Sequence, residues 1–151
     1  MSDASVIVRP FQPSDRKQLE QILILNDQLS HPLVDGPDAM LRVSGCAASF
    51  FHVAERDGEP IGLIRGNYDG SRAIINELSV HPDQQALGAA TLLVEAAHDS
   101  LAQRGAPTTA VTVSDQSSTF WARFGFDMMP TKMMLKTLPQ PGAKPTSDCC
   151  S

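Results

Sequence analysis

Apolar and polar residues alternate in several segments of the chain, which is typical of strands with one buried face. Val6 and Val8 alternate with their neighbours near the start of the chain. Asp57-Gly58 and Asp69-Gly70 are turn dipeptides between three further apolar segments, which predicts two consecutive hairpins. The predicted strands are residues 5–11, 50–56, 61–68, 72–80, 108–114 and 128–136, the last interrupted by Pro130.

Apolar residues spaced three and four positions apart predict helices between these strands. Pro13-Ser14-Asp15 is a start signal for a first helix that reaches Asn26. A loop over residues 31–36 precedes a short second helix that starts at Asp38. The two later helices cover residues 88–105, with an apolar stripe of Leu92, Leu93, Ala96, Ala97 and Leu101, and residues 117–123.

The chain is organised around one strand, turn and helix in residues 74–105. Val80 ends the strand because the following His81-Pro82 breaks it; proline has no N–H and restricts the residue before it. The helix that starts at Gly88 directs unpaired backbone N–H groups and the positive end of its dipole toward the turn. That arrangement favours an anion, most naturally a phosphate. Neither the Walker pattern nor the three-glycine dinucleotide fingerprint occurs in this stretch.

The composition is that of a globular protein, with 151 residues, a net charge of −5 and 42% hydrophobic residues. We predict one domain over residues 1–138 and a disordered tail over residues 139–151, which are rich in proline, glycine, serine and lysine. The acidic balance argues against a nucleic-acid partner. The chain has no long apolar stretch and no signal peptide, which favours a cytoplasmic location without a membrane partner.

The cysteines predict neither a disulfide framework nor a metal site. Cys46 is isolated and has no paired histidine signal, so a nucleophilic role is not expected. Cys149-Cys150 near the end is similar to a prenylation terminus, but an unmodified flexible tail is the favoured interpretation.

Several motifs in order resemble the GNAT family of N-acetyltransferases. Gln85-Ala86-Leu87-Gly88-Ala89-Ala90 meets the family pattern Gln/Arg-x-x-Gly-x-Gly/Ala for the acetyl-CoA loop. Residues 78–83 resemble the strand and turn that lead into that loop, and residues 8–15 resemble the family's opening. The segment from Ser117 to Phe126 resembles the family's Phe-Tyr-x-x-x-Gly-Phe motif. The resemblance covers roughly residues 5 to 136.

The resemblance implies the fold and the co-substrate. The fold would be of the α/β (α+β) class, with a mixed, mostly antiparallel sheet of six to seven strands that splays in the middle, flanked by about four helices. The co-substrate would be acetyl-CoA, with its pantetheine arm along the strand that ends at Val80 and its pyrophosphate on the backbone of the loop. The cofactor-binding residues implied are Leu78, Ser79, Val80, Gln85, Ala86, Leu87, Gly88, Ala89, Ala90, Ser114 and Phe120.

Glu77 and Trp121 are the two positions implied for catalysis. Glu77 would receive the proton of the acceptor amine, directly or through water; a solvated or paired strand residue is the alternative. Trp121 stands where many family members have a tyrosine that protonates the leaving thiolate. An indole N–H donates a hydrogen bond but is not an acid near neutral pH. We therefore expect slow or water-assisted turnover, with Trp121 packed beside the pantetheine arm or anchoring its helix in the core.

The acceptor would be a primary amine of a small molecule or peptide, and the candidates for binding it are His31, Asp35 and Tyr68. Residues 84–87 lack the basic side chains common in the family, so a non-catalytic regulatory protein that binds acyl-CoA is the competing interpretation. The sequence leaves monomer and homodimer open. We further expect His98 to be solvated and the methionines of residues 128–134 to pack in the core or at a sheet edge.

Overall fold

A computed structural model describes residues 5–142 and contains one five-stranded sheet. Its strands are β1 (Ile7–Pro10), β2 (Ser49–Arg56), β3 (Glu59–Tyr68), β4 (Ala73–Val80) and β5 (Thr109–Val111). They lie side by side in sequence order. The pairings β1–β2, β2–β3 and β3–β4 are antiparallel, and β5 joins β4 in parallel. The sheet is therefore mixed and mostly antiparallel, as predicted.

The described residues form five α-helices: α1 (Arg16–Leu25), α2 (Pro32–Asp35), α3 (Pro37–Ser44), α4 (Ala89–Gln103) and α5 (Ser118–Ala122). Two 3-10 helices, Pro13–Asp15 and Pro82–Leu87, precede α1 and α4. The loop predicted over residues 31–36 contains the single turn of α2. Pro32 suits the first position of that turn, and the His31 carbonyl accepts hydrogen bonds from the N–H groups of Val34 and Asp35.

Each face of the sheet carries its own apolar core. On one face α4 and α5 pack on the sheet through Ile64, Ile75, Leu93, Ala97 and Trp121, among others. On the other face Leu19, Ile22 and Leu23 of α1 and Met40 of α3 pack against Phe51, Val53 and Leu63. The two faces therefore separate the long helix from the region of α1, α2 and α3.

A β-bulge in β4 decides which face each of its side chains reaches. Arg65 lies opposite Glu77 and the next residue, Gly66, lies opposite Ile75, so Asn76 is an extra residue in β4. Ile75 before the bulge and Val80 after it both belong to the core under α4. Because side chains alternate along a strand, Glu77 lies on the opposite face, toward α1 and α2.

The outer edge of β4 is open beyond the bulge. β5 pairs only with Ala73, Ile74 and Ile75, whereas β4 continues to Val80. The N–H of His81 donates to the Ile61 carbonyl of β3 at 2.7 Å. Backbone groups alternate sides along an antiparallel ladder, so those of Leu78 and Val80 point away from β3 into the opening. β4 and β5, the last two strands of the sheet, are therefore unpaired with each other beyond Ile75.

Four expectations about the fold are wrong. The described residues contain five strands rather than six or seven, because residues 128–136 form no strand; Pro130 removes a ladder donor there. Met128, Met129, Met133 and Met134 are consequently 65–95% exposed instead of packed. β5 covers only three of the seven residues predicted for it. His98 is half-buried, lying 5.8 Å from the ring of Phe126, rather than solvated.

No helix in residues 5–142 is long and apolar enough to cross a membrane. Most of the predicted tail, residues 143–151 with Cys149-Cys150, lies outside the described residues.

Replacing Gly66 by alanine tests the close approach at the bulge. A Cβ at Gly66 would overlap the carbonyl oxygen of Ile74 and lie 2.7 Å from a ring carbon of Phe50. We expect Gly66→Ala to lower the free energy of unfolding by roughly 2 kcal/mol or more, measured by urea denaturation. Gly45→Ala is the matched control, since its Cβ would meet Leu41 at 3.6 Å, an ordinary contact. Equal stability of the two variants would contradict the close contact of Gly66 with Ile74 and Phe50.

Candidate functional site

Glu77 lies in a buried cluster of charged side chains contributed by β3, β4 and α2. Its Oε1 is 3.3 Å from Nε of Arg65, a charge pair without the alignment of a hydrogen bond. Nη2 of the same guanidinium donates to the Val34 carbonyl at 2.8 Å and lies 3.4 Å from Oδ1 of Asp35. The side chains of Arg65 and Glu77 are 6% and 7% exposed, and that of Asp35 is 20% exposed. One cation therefore faces two carboxylates.

This environment makes Glu77 a weak acid. Burial raises the pKa of Glu77 to about 8, because a desolvated carboxylate is costly. The nearby charge of Arg65 lowers the pKa, and the charge of Asp35 and its hydrogen bond to Glu77 raise it again. Near neutral pH, Glu77 is therefore mostly protonated, and above about pH 8 it is a carboxylate suited to accepting a proton.

The sequence argument proposed Glu77 and Asp35 but missed Arg65, which joins them. A signal for it was present, since Arg65 is the one charged residue in the apolar run from Ile61 to Gly66. Charged side chains are seldom buried unless they are paired. An arginine within the buried run from Pro60 to Gly66 thus indicates carboxylates nearby.

The open edge of β4 is held by side-chain amides from the segment after α1. Nδ2 of Asn26 donates to Oγ of Ser79 at 2.7 Å and to the carbonyl of Val80 at 2.8 Å. Nε2 of Gln28 donates to the carbonyl of Leu78 at 3.1 Å. Sequence reasoning also missed these two residues, and we find no local signal that indicates them. They connect the acceptor side of the cluster to the strand predicted to hold the cofactor.

The predicted phosphate loop lies at the end of this edge. Nε2 of Gln85 donates to the Val80 carbonyl at 3.2 Å, which ties the 3-10 helix back to β4. Gly88 adopts φ +77°, a left-handed conformation that favours glycine, and has open space around its Cα. It caps α4 without a side-chain hydrogen bond.

The loop fits an anion through its backbone. The first N–H groups of α4 have no intrahelical partner, which is the arrangement that binds anions at helix N-termini. Around it Ala86 and Leu87 are exposed, Ala89 is buried and Ala90 is half-buried. No basic side chain is present in residues 82–91, so within the loop itself attraction for a phosphate comes from the backbone. Arg56 of β2 reaches the loop from outside, where its Nη1 donates to Oε1 of Gln84 at 3.1 Å.

Three predicted site residues form a second group around α5. Ser114 accepts hydrogen bonds from the N–H groups of Ser117 and Ser118 through its carbonyl and so begins α5. Phe120 packs against Phe124, with the Arg123 guanidinium 5.5 Å from the centre of its ring. Trp121 is 5% exposed, with its ring 5.3 Å from that of Phe126. The contacts of Trp121 are those of a core residue.

The acceptor candidates separate in the structure. Asp35 belongs to the charged cluster, and His31 begins the same turn of helix with a buried Nδ1 that has no hydrogen-bond partner in residues 5–142. Tyr68 ends β3 and packs against the core under α4, on the other face of the sheet, and its hydroxyl donates to the Gly70 carbonyl at 3.0 Å. The structure therefore does not bring Tyr68 to Glu77. A depression of about 270 Å³ beside His81 and Gln84 does not include Glu77 either.

Comparisons with known proteins identify the family and the fold. The model of the acetyltransferase (GNAT) family matches residues 18–126. The chain is 29% identical to an acetyltransferase of Yersinia enterocolitica, over 87% of this chain and 94% of the relative.

Two solved structures share the fold. The PaiA N-acetyltransferase of Thermoplasma acidophilum, in complex with coenzyme A, has a TM-score of 0.74 at 16% identity and covers 85% of this chain and 93% of its own. An aminoglycoside 6'-N-acetyltransferase of Acinetobacter baumannii has a TM-score of 0.72 at 17% identity and covers 90% of this chain and 100% of its own. The family match spans most of the chain, and with it come the fold and the use of acetyl-CoA as co-substrate. This chain belongs to the GNAT family of acetyltransferases.

Proposed function

We propose that the protein transfers the acetyl group of acetyl-CoA to a primary amine by direct attack, without a covalent enzyme intermediate. The observation that carries the proposal is the position of Glu77. The carboxyl group follows the bulge at Asn76 at the open edge of β4 and has its pKa raised to about 8. A general base works best when its pKa is near the working pH.

The residues of this chain divide the work as follows. Acetyl-CoA supplies the thioester carbonyl that the amine attacks; the C–N bond forms, the C–S bond breaks and coenzyme A leaves as the thiolate. Glu77 accepts the proton that the amine loses, directly or through one water molecule. Arg65 holds the carboxylate of Glu77 in position. The N–H groups of Leu78 and Val80, which point into the opening beside β4, bind the pantetheine arm and the acetyl carbonyl.

The acceptor most compatible with the cluster is a cationic amine. With both carboxylates ionised, the two negative charges of Asp35 and Glu77 and the positive charge of Arg65 give the cluster a net charge of −1. Asp35 is the more exposed of the two, so an ammonium group meets it first. His31, at the start of the same helical turn, is the further acceptor-side residue in this proposal.

A non-catalytic protein that binds acyl-CoA is the second candidate. It is favoured by Trp121, which occupies the tyrosine position and is buried among Phe120, Phe124 and Phe126. The absence of basic side chains in residues 82–91 favours it as well, because weak cofactor binding limits turnover. Incubating the protein with acetyl-CoA and a panel of amines, and measuring free thiol, decides between the two candidates.

A charge placed at Gly88 tests the cofactor loop. Gly88→Glu directs a carboxylate at the first N–H groups of α4, where it repels the pyrophosphate, so we expect CoA affinity to fall at least about tenfold. The measurement is isothermal titration calorimetry. Gly105→Glu is the matched control, because Gly105 also has a positive φ and open space but lies at the other end of α4. If the two variants bind CoA equally, the loop does not hold the pyrophosphate.

Replacing Glu77 by glutamine tests the general base. Because ionised Glu77 is the active form, we expect wild-type kcat to rise about tenfold per pH unit below the pKa and to level off above about pH 8. Glu77→Gln should lack that limb and lose about 10²- to 10⁴-fold at pH 8 to 9, with CoA affinity unchanged. The acceptor amine also loses a proton as the pH rises, so the measurement is repeated with amines of different pKa. A limb set by Glu77 has the same midpoint with every amine. A limb that follows the amine in both proteins would assign Glu77 a packing role.

Substitutions of Trp121 test its role as a core residue. Both Trp121→Phe and Trp121→Tyr leave space beside Phe126, so each should reduce the free energy of unfolding by roughly 1 to 3 kcal/mol. If position 121 is a core position, neither the phenylalanine nor the tyrosine ring protonates the leaving thiolate. The thiol release per folded molecule should therefore be the same in the two variants. Denaturation and thiol release are measured on the same samples. A faster rate in the tyrosine variant would identify a vacant acid position instead.

A further inference from the structure

The cluster around Glu77 has more negative charge than its single cation balances. The charged groups that face Glu77 are Arg65 from β3 and Asp35 from α2. If both carboxylates are ionised, one negative charge lies largely buried without compensation, which is costly. Two carboxylates that share a site relieve this by keeping one proton between them.

Burial favours the protonated form of Glu77. Its side chain is 7% exposed, against 20% for Asp35, and burial disfavours the charged form of a carboxyl group. Arg65 compensates the remaining charge, with its Nη2 3.4 Å from Asp35 and its Nε 3.3 Å from Glu77.

The turn of α2 is fixed to the sheet at this same point. Nη2 of Arg65 donates to the Val34 carbonyl at 2.8 Å, one residue before Asp35. The carboxylate of Asp35 is therefore held beside Arg65 of β3 even though α2 is only a four-residue helix.

We propose that Asp35 is a positioning residue that holds a proton on Glu77 and thereby sets the pH above which Glu77 works as the base. The proposal rests on the proposed function for its catalytic meaning, but the protonation of Glu77 can be measured without turnover. The proposal also links α2 to Glu77. Any movement of α2 away from Arg65 takes the negative charge of Asp35 away from Glu77, and that charge retains the proton.

The test is a direct titration of Glu77 in the full chain, by NMR of its side-chain carboxyl carbon. The resonance is assigned by its loss in Glu77→Gln. We expect Asp35→Asn to lower the pKa of Glu77 by at least about one unit, since it removes a neighbouring negative charge. Asp38→Asn is the matched control, because Asp38 is exposed in the first turn of α3 and its substitution changes the net charge by the same amount. The control should leave the pKa of Glu77 unchanged.

A second variant separates charge from shape. Asp35→Glu keeps the carboxylate and should keep the pKa of Glu77 raised, whereas displacement of α2 would lower it as much as Asp35→Asn does. Equal lowering in both Asp35 variants overturns the proposal, and so does an unchanged titration in folded Asp35→Asn. If acetylation is found, the acid limb of kcat/KM should move to lower pH by the same amount in Asp35→Asn. If Glu77 responds as expected and no amine is acetylated, the proposed function fails and this inference stands.

Discussion

One guanidinium between two carboxylates is the interaction on which the candidate site depends. Arg65 is almost fully buried, so its charge requires partners, and the structure supplies them from two different elements: Glu77 on β4 and Asp35 on α2. The same guanidinium holds the backbone of α2 through Val34. A short helix that has little core of its own is thus kept in place by a charge that the sheet must neutralise in any case.

The bulge at Asn76 is what makes this cluster geometrically available. In a regular strand without the bulge, residues 75 and 77 share one face, so Glu77 would point with Ile75 into the apolar core under α4, where a carboxylate has no partner. With it, the residues before and after the bulge both keep their apolar side chains under α4, and Glu77 turns toward Arg65. Gly66 lies opposite the bulge and permits the approach, since a side chain there would overlap Ile74.

The sequence predicted what depends on local signals. Turn dipeptides, His81-Pro82 and the spacing of apolar residues gave β2, β3, β4 and α4 within a few residues of their bounds. It failed where packing decides. Residues 128–136 have the composition of a strand but form none, and β5 covers only three of the seven residues predicted for it. Sequence reasoning also left open which face Glu77 reaches, because a one-residue bulge reverses that face without any change in composition.

The amides of Asn26 and Gln28 connect the acceptor side of the site to the strand on the cofactor side. They bind carbonyl groups of β4 that no neighbouring strand uses, because β5 stops pairing at Ile75. An open strand edge would otherwise present unpaired acceptors to solvent or to another chain. Here the segment that leads from α1 to α2 occupies those acceptors and leaves the N–H groups of the edge facing the opening. The segment from Asn26 to Asp35 is therefore attached to the sheet twice, to β4 through the amides of Asn26 and Gln28 and to β3 through Arg65, so the acceptor side and the cofactor strand form one connected unit.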